Sequence, residues 1–339
     1  MLCRDTPSMS VPRLFAAVLI ASLLLAGGPL RAQGVDGPFF VIEEPVIGYG
    51  TDPGIVEPFD LDAWLSRQHQ PGHGDGPWHG CCPPGAQGPW DWQFVPTGIL
   101  YKSYLAGAHE PRLGSAIFRD LGDRRLWDTV LGGRVGIIRY GSPGGGWADG
   151  FQLDVEGAAF VRLDADRELE STDFRAGLPL TYKSGNYSTK LAYYHISSHL
   201  GDEFLAKNED AERIDFVRDV IVWGHSLQWT DDLRVYFEVG YGLHNKGGSE
   251  PWEFQFGAEY SSVRPTGNGG SPFLAANGHL REEVGFGGNL VAQAGWQWRS
   301  VDYGPLFRMG VHYYNGKSAQ FEFFDHFEHQ LGFGIWYDF

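Results

Sequence analysis

The C-terminal strand constrains the fold more than any other stretch of the chain. Phe327, Leu331, Phe333, Ile335, Tyr337 and Phe339 fall on one face of an extended segment, and Glu328, Gln330, Gly332, Gly334 and Asp338 on the other. Successive side chains of a strand point to opposite faces, so this segment has one apolar and one polar face. The pattern recurs upstream. Leu233, Val235, Phe237, Val239, Tyr241 and Leu243 alternate with Arg234, Tyr236, Glu238, Gly240 and Gly242. Trp252, Phe254, Phe256, Ala258 and Tyr260 alternate with Glu253, Gln255, Gly257 and Glu259, and similar runs cover 289–299 and 307–313. Weaker versions span 151–163, 174–182, 187–197 and 216–229.

The composition of the two faces separates a membrane barrel from a soluble sandwich. A sandwich turns a face of Lys, Glu, Thr and Ser to water. Here the apolar face carries Trp and Tyr near strand ends, as in interfacial girdles, and the polar face carries Gly, Gln and opposed Arg and Glu, as in a packed lumen. After residue 32 no apolar run reaches the length of a transmembrane helix, so membrane insertion has to use strands. The expected fold is all-β, an antiparallel transmembrane β-barrel of about 12 strands in a bacterial outer membrane, over residues 99–339. A terminal Phe after an alternating strand is the usual recognition end for outer-membrane assembly, which makes the barrel assembly machinery and outer-membrane lipids expected partners. Turns at 183–186, 230–232 and 300–304 fall on the periplasmic side of this arrangement, and links at 164–172, 198–213, 244–251 and 315–325 fall outside. Arg162, Arg175, Lys183, Lys190, Arg234, Arg299 and Arg308 share the inward face with Asp154, Glu156, Glu238, Glu253, Glu259 and Glu328. Unpaired charge in a narrow lumen is costly, so these groups are expected to form ion pairs that fill it.

The N-terminal third reads differently. Arg4 and Arg13 precede an apolar stretch from Leu14 to Gly27, and Leu30-Arg31-Ala32 follows as a small-residue cleavage site. That is the organisation of a secretory signal peptide, residues 1–32. Residues 33–98 are rich in Gly and Pro and are expected as an irregular periplasmic extension, with one short helix over 61–68. His73, His79, Cys81 and Cys82 could gather a metal, but their spacing matches no zinc pattern, and a flexible loop is the alternative. The net charge of −16 excludes a nucleic-acid partner, which would require a basic surface.

One hairpin carries candidate chemistry. His195 and Ser197 are two apart, so they share a strand face with Leu191 and Tyr193, while Lys190 and Tyr194 take the other. Lys190 belongs to the lumen, which places His195 and Ser197 toward lipid, at the outer end of an upward strand. A His can take the proton of a Ser hydroxyl if a third group orients the imidazole. Glu209, Asp215 and Asp219 on the returning segment are the candidates for that group. His199, Asp202 and Glu203 could hold a divalent cation such as Ca2+ in the adjoining loop. The bland alternative is a girdle histidine on a non-enzymatic structural barrel or a narrow pore.

This hairpin resembles the outer-membrane phospholipase A and lipid A deacylase families, both barrels with a His-x-Ser pair on the lipid-facing surface of a strand. The resemblance implies an acyl-ester hydrolase acting on outer-leaflet lipid, with His195 as base and Ser197 as nucleophile. It would also allow a homodimer in which two barrels complete the site. Those families tend to carry Asn after the serine, where this chain has Ser198. The region from Trp90 to Phe339 also resembles the bacterial domain of unknown function 1207, through Tyr104-Leu105-Ala106-Gly107, Glu110-Pro111-Arg112-Leu113-Gly114 and the stretch from Tyr194 to Glu203. That resemblance implies a barrel-like envelope protein and supplies no activity.

Overall fold

The structure, a computed structural model, describes residues 88–120 and 122–339. The expected signal peptide, the short helix expected at 61–68 and the His73, His79, Cys81 and Cys82 cluster lie outside the described residues.

The wall is a closed antiparallel barrel of twelve strands. They are β2 (Leu113–Asp120), β3 (Arg125–Gly141), β4 (Gly150–Leu163), β5 (Leu169–Ser184), β6 (Tyr187–Leu200), β7 (Val217–Gln228), β8 (Leu233–Lys246), β9 (Trp252–Tyr260), β10 (Ser271–Arg281), β11 (Gly288–Arg299), β12 (Leu306–Lys317) and β13 (Phe327–Asp338). Each pairs with its sequence neighbours, and β13 closes the ring on β2, with Tyr337 opposite Leu113 and Gln330 opposite Asp120. Closure leaves the wall strands no free edge along most of their length, the condition for backbone in a bilayer. Leu131, Val135, Leu178, Leu191, Trp223, Leu274 and Phe333 are exposed on the outer face, while Asp154, Arg162, Gln297 and Arg308 are buried inside. The loop asymmetry is weaker than the sequence reading expected. The links 142–149 and 261–270 are long although they fall on the same side as the short turns at 185–186 and 229–232.

The internal segment gives the barrel its core. A short strand, β1 (Asp91–Phe94), pairs with the far end of β3, Phe94 opposite Ile138. Both β1 and β2 run antiparallel to β3, β2 against its first half and β1 against its last residues. They are two pieces of one strand position, and the chain between them dives into the lumen. Gly98, at φ +77°, makes the turn; a Cβ there would meet Gly146 N at 2.9 Å, so only glycine suits both the conformation and the space.

Wall arginines then grip this segment by its backbone. Arg139 donates to the carbonyls of Thr97 and Gly98, Arg134 to Tyr101, Arg234 to Lys102 and Ser103, and Arg308 to Leu105. Arg112, within the segment, donates to Tyr104 O at 2.5 Å and Leu105 O at 2.6 Å. The same guanidinium groups face wall carboxylates: Arg134 with Asp154, Arg234 with Glu259, and both Arg308 and Arg112 with Asp338. A guanidinium has five donors in a planar fork, so one side chain can serve both a carboxylate and a carbonyl. Tyr104 stacks on Tyr236 at 3.7 Å and donates to Glu238, which also pairs with Lys190 at 2.8 Å. The expected ion-paired lumen is present in part, with a chain segment threaded through it: Lys183 and Arg299 donate instead to the carbonyls of Gly146, Ser262 and Gly304.

The outer mouth is closed by the loop between β12 and β13. Phe321 is stacked between His109 of the internal segment (4.6 Å) and Phe216, just before β7 (4.5 Å). Asp173 on β5 accepts from Ser198, from His109 Nε2 at 3.0 Å and from Phe321 N at 3.2 Å. Ser198 thus faces inward as part of the loop's anchor. His109 and Ser198 meet Asp173 separately, which gives a structural clasp without a His-to-Ser proton path.

Candidate functional site

β6 and β7 position the candidate site by alternation and register. Along β6, Leu191 and Tyr193 are exposed, His195 and Ser197 are partly exposed, and Ala192, Tyr194, Ile196 and Ser198 are buried. His195 and Ser197 therefore lie on the outer face, as their spacing predicts. The β6–β7 register sets Asp219 directly opposite His195, and Val217, the first residue of β7, opposite Ser197. The group is at the outer end of both strands.

Register decides among the three candidate acids. His195 Nδ1 is 2.8 Å from Asp219 Oδ1. The same oxygen accepts the Tyr193 hydroxyl at 2.8 Å. Glu209 lies exposed in the loop before β7, and Asp215 forms an ion pair with Lys246 at 3.5 Å. Only Asp219 reaches His195. A hydrogen bond from Nδ1–H to a carboxylate fixes the imidazole as the tautomer whose Nε2 is an acceptor. No hydrogen bond joins His195 to Ser197 among the described residues. Nε2 is the nitrogen left to serve Ser197, and such bonds are often long before substrate binds. Tyr193 was recognised in the sequence as a neighbour on the same face; its bond to the acid follows from the register between strands.

The cation expectation fares differently. The structure does not bring His199, Asp202 and Glu203 together. His199 is exposed beside Phe174 on β5, and Asp202 opens helix α1 (Asp202–Lys207) with its carboxylate 2.7 Å from Arg213. Strand alternation turns His199 outward, Gly201 intervenes, and the helix directs the two acids elsewhere. Among the described residues no group of three or more His, Cys, Asp and Glu is arranged to hold a metal ion.

A further outer-face histidine was missed. Continued alternation of β8 after Leu243 would turn His244 inward. A register shift between Asp219 and Val220 opposes them to His244 and Gly242, so Leu243 is the extra residue of a β-bulge. Both Leu243 and His244 are exposed. The local signal is Gly242 with Asn245: Asn245 Nδ2 donates to Gly242 O at 3.1 Å, and its side chain occupies the space where a Cβ on Gly242 would sit.

The family described as Protein of unknown function (DUF1207) matches residues 92–339, from β1 through the internal segment to the last residue. The chain belongs to the DUF1207 family. Its described residues form a twelve-stranded antiparallel β-barrel with an apolar outer face. An active-site mutant of outer membrane phospholipase A from Escherichia coli is similar at a TM-score of 0.45 and 11% identity, over 70% of this chain and 91% of that one. The Salmonella typhi outer membrane phospholipase dimer with bound calcium gives 0.44 and 11%, over 67% and 91%. A mutant Rh. blastica porin gives 0.30 and 10%, over 68% and 99%. At these values the likeness concerns barrel architecture, and no functional statement rests on it. No curated protein matches the chain.

Proposed function

We propose that this DUF1207 barrel is an acyl-ester hydrolase acting on lipid at the outer leaflet. The observation that carries the reading is the 2.8 Å bond between His195 Nδ1 and Asp219 Oδ1 on the outer face, with Ser197 two residues along the same strand. Ser197 Oγ attacks the ester carbonyl while His195 Nε2 takes its proton. The resulting imidazolium is stabilised by Asp219. Collapse of the tetrahedral intermediate breaks the ester bond, and His195 returns the proton to the departing alcohol. Water, activated by the same histidine, then releases the fatty acid from Ser197. Leu191 and Tyr193 lie beside the path an acyl chain would take, so substrate arrives laterally from the membrane and needs no lumenal pocket.

Calcium is bound in the Salmonella typhi outer membrane phospholipase dimer. The residues here do not fit a comparable role: His199, Asp202 and Glu203 do not converge, and Asp202 is committed to Arg213. No step is routed through a metal. A homodimer remains part of the proposal, as a way to shield the outer-face site from bulk lipid. The filled lumen favours this reading over a narrow pore.

The test is fatty-acid release from phospholipid and from lipopolysaccharide by purified protein in mixed micelles. Removing a nucleophile or base from such a unit lowers the rate by several powers of ten. Ser197→Ala and His195→Ala are expected to abolish measurable release. Release that persists unchanged in both variants, or no release from either lipid by the wild type, would defeat the assignment.

A further inference from the structure

At the end of the barrel opposite the outer mouth, several cations have no carboxylate partner among the described residues. Arg139 is satisfied by Gln152 and by the carbonyls of Thr97, Gly98 and Gly145. Lys183 donates to Gly146 O at 2.5 Å and sits 4.4 Å from the centre of the Tyr303 ring. Lys102, on the internal segment, meets only Phe339 O, at 3.4 Å, although an ammonium has three donors. Arg299 commits Nε to Ser262 O at 2.9 Å and Nη1 to Gly304 O, and its Nη2 has no hydrogen-bond partner among the described residues. The charges felt most strongly at Lys102 are all positive, Arg299 and Lys183 ahead of Arg134 and Arg234. Like charges gathered in a low dielectric are costly unless an anion joins them.

Lys102 and Arg299 line one cavity, between the internal segment and the ends of β7, β8, β9, β11, β12 and β13. Its volume of about 50 Å³ is room for roughly four waters at ~10–15 Å³ each. The carboxylates that border it are already engaged. Glu259 faces Arg234 at 3.3 Å and accepts from Leu105 N at 2.5 Å, and Asp338 lies between Arg112 and Arg308. Ser103 and Tyr303 also line the cavity, and neither hydroxyl has a hydrogen-bond partner among the described residues. The uncommitted groups are therefore two cations and two hydroxyls.

We propose that this cavity binds a phosphate group, held by the Lys102 ammonium and the Arg299 guanidinium, with the hydroxyls of Ser103 and Tyr303 donating to the remaining oxygens. A tetrahedral oxyanion offers four oxygens, one for each uncommitted group. Ammonium and guanidinium are the side chains best suited to phosphate, the first as a point charge and the second as a planar donor. A carboxylate, with two oxygens, would leave donors unmet. The site is at the opposite end of the barrel from His195, Ser197 and Asp219 and is independent of the hydrolytic reading. The phosphate comes either from a dissolved anion or from a lipid headgroup reaching in beside Phe339, which borders the cavity and is partly exposed.

The test is calorimetric titration of the full chain in detergent with inorganic phosphate and, separately, with dihexanoyl phosphatidic acid. Saturable binding of one phosphate group per chain is expected. Binding of inorganic phosphate points to a dissolved anion, and binding of the lipid alone to a headgroup. Lys102→Gln should weaken the affinity by roughly tenfold to a hundredfold, the scale of a charge-assisted hydrogen bond. Lys207→Gln, in helix α1 at the outer mouth, should leave it unchanged. A second measurement needs no variant: lysines of the wild type are acetylated with a water-soluble reagent and read by peptide mass spectrometry. Saturating ligand should slow the modification of Lys102 and not that of Lys207. The proposal is overturned by the absence of saturable binding of either ligand, by an affinity unchanged in Lys102→Gln, or by Lys102 acetylated as fast with ligand as without it.

Discussion

Asp219 controls the orientation of His195 through a single oxygen, and Tyr193 steadies that oxygen. The consequence is a sharp ranking of the acids around the hairpin. Asp219→Asn replaces an acceptor-only group by an amide that can reverse the tautomer of the imidazole, and loss of the carboxylate in such units costs up to about four powers of ten in rate. Glu209→Ala and Asp215→Ala, at exposed loop positions, are expected to leave hydrolysis within about twofold of wild type, since surface changes away from such features are small. Steady-state assays on the three variants check the order, and a large loss in Glu209→Ala with none in Asp219→Asn would reverse it. Much of this site was legible in the sequence. Spacing alone put His195 and Ser197 on one face with Leu191 and Tyr193, away from Lys190. The identity of the third member was not, because it depends on which residue of β7 faces which residue of β6, and three acids lie within a few positions of one another. His244 was hidden for a related reason: one extra residue in β8 inverts the alternation on which the reading relied.

The internal segment 95–112 acts at the scale of an element. It has no period of its own, since its shape comes from the arginines that hold its carbonyls, and those donors are scattered over β3, β8 and β12. A sequence reading built on alternation recognises strands and passes over such a segment; here Tyr104-Leu105-Ala106-Gly107 and Glu110-Pro111-Arg112 stood out only by resemblance to a family. The energetic expectation is specific. Arg134 pairs with Asp154 and bonds to Tyr101 O, all of it buried. Arg134→Met leaves Asp154 charged and unpartnered by that group, and breaking a buried pair this way costs about 3–5 kcal/mol. Unfolding in detergent, followed by the heat-dependent shift of the band on a gel, should show this loss, whereas Arg119→Met, in an exposed pair with Asp123, should change stability by less than about 1 kcal/mol. Equal effects of the two substitutions would contradict the role assigned to the threaded segment.

For the whole molecule, the barrel is closed twice, by the segment in its lumen and by Phe321 over its outer mouth. Purified protein in planar bilayers is therefore expected to show no large, stable, open conductance; frequent open-channel events would favour the pore reading and detach function from the outer face. The closed lumen concentrates accessible chemistry on the surface that meets lipid, where the candidate nucleophile lies at the end of β6. The most direct test of that claim is covalent labelling. A long-chain alkyl sulfonyl fluoride presents sulfur to an activated serine; Oγ bonds to sulfur, fluoride leaves, and the histidine takes the proton. Incubated with the protein in detergent and read by peptide mass spectrometry, it should place a single adduct on Ser197, lost in His195→Ala and strongly slowed in Asp219→Asn. An unmodified Ser197 in the wild type, or an adduct that forms as fast without His195, would contradict a lipid-facing hydrolytic site.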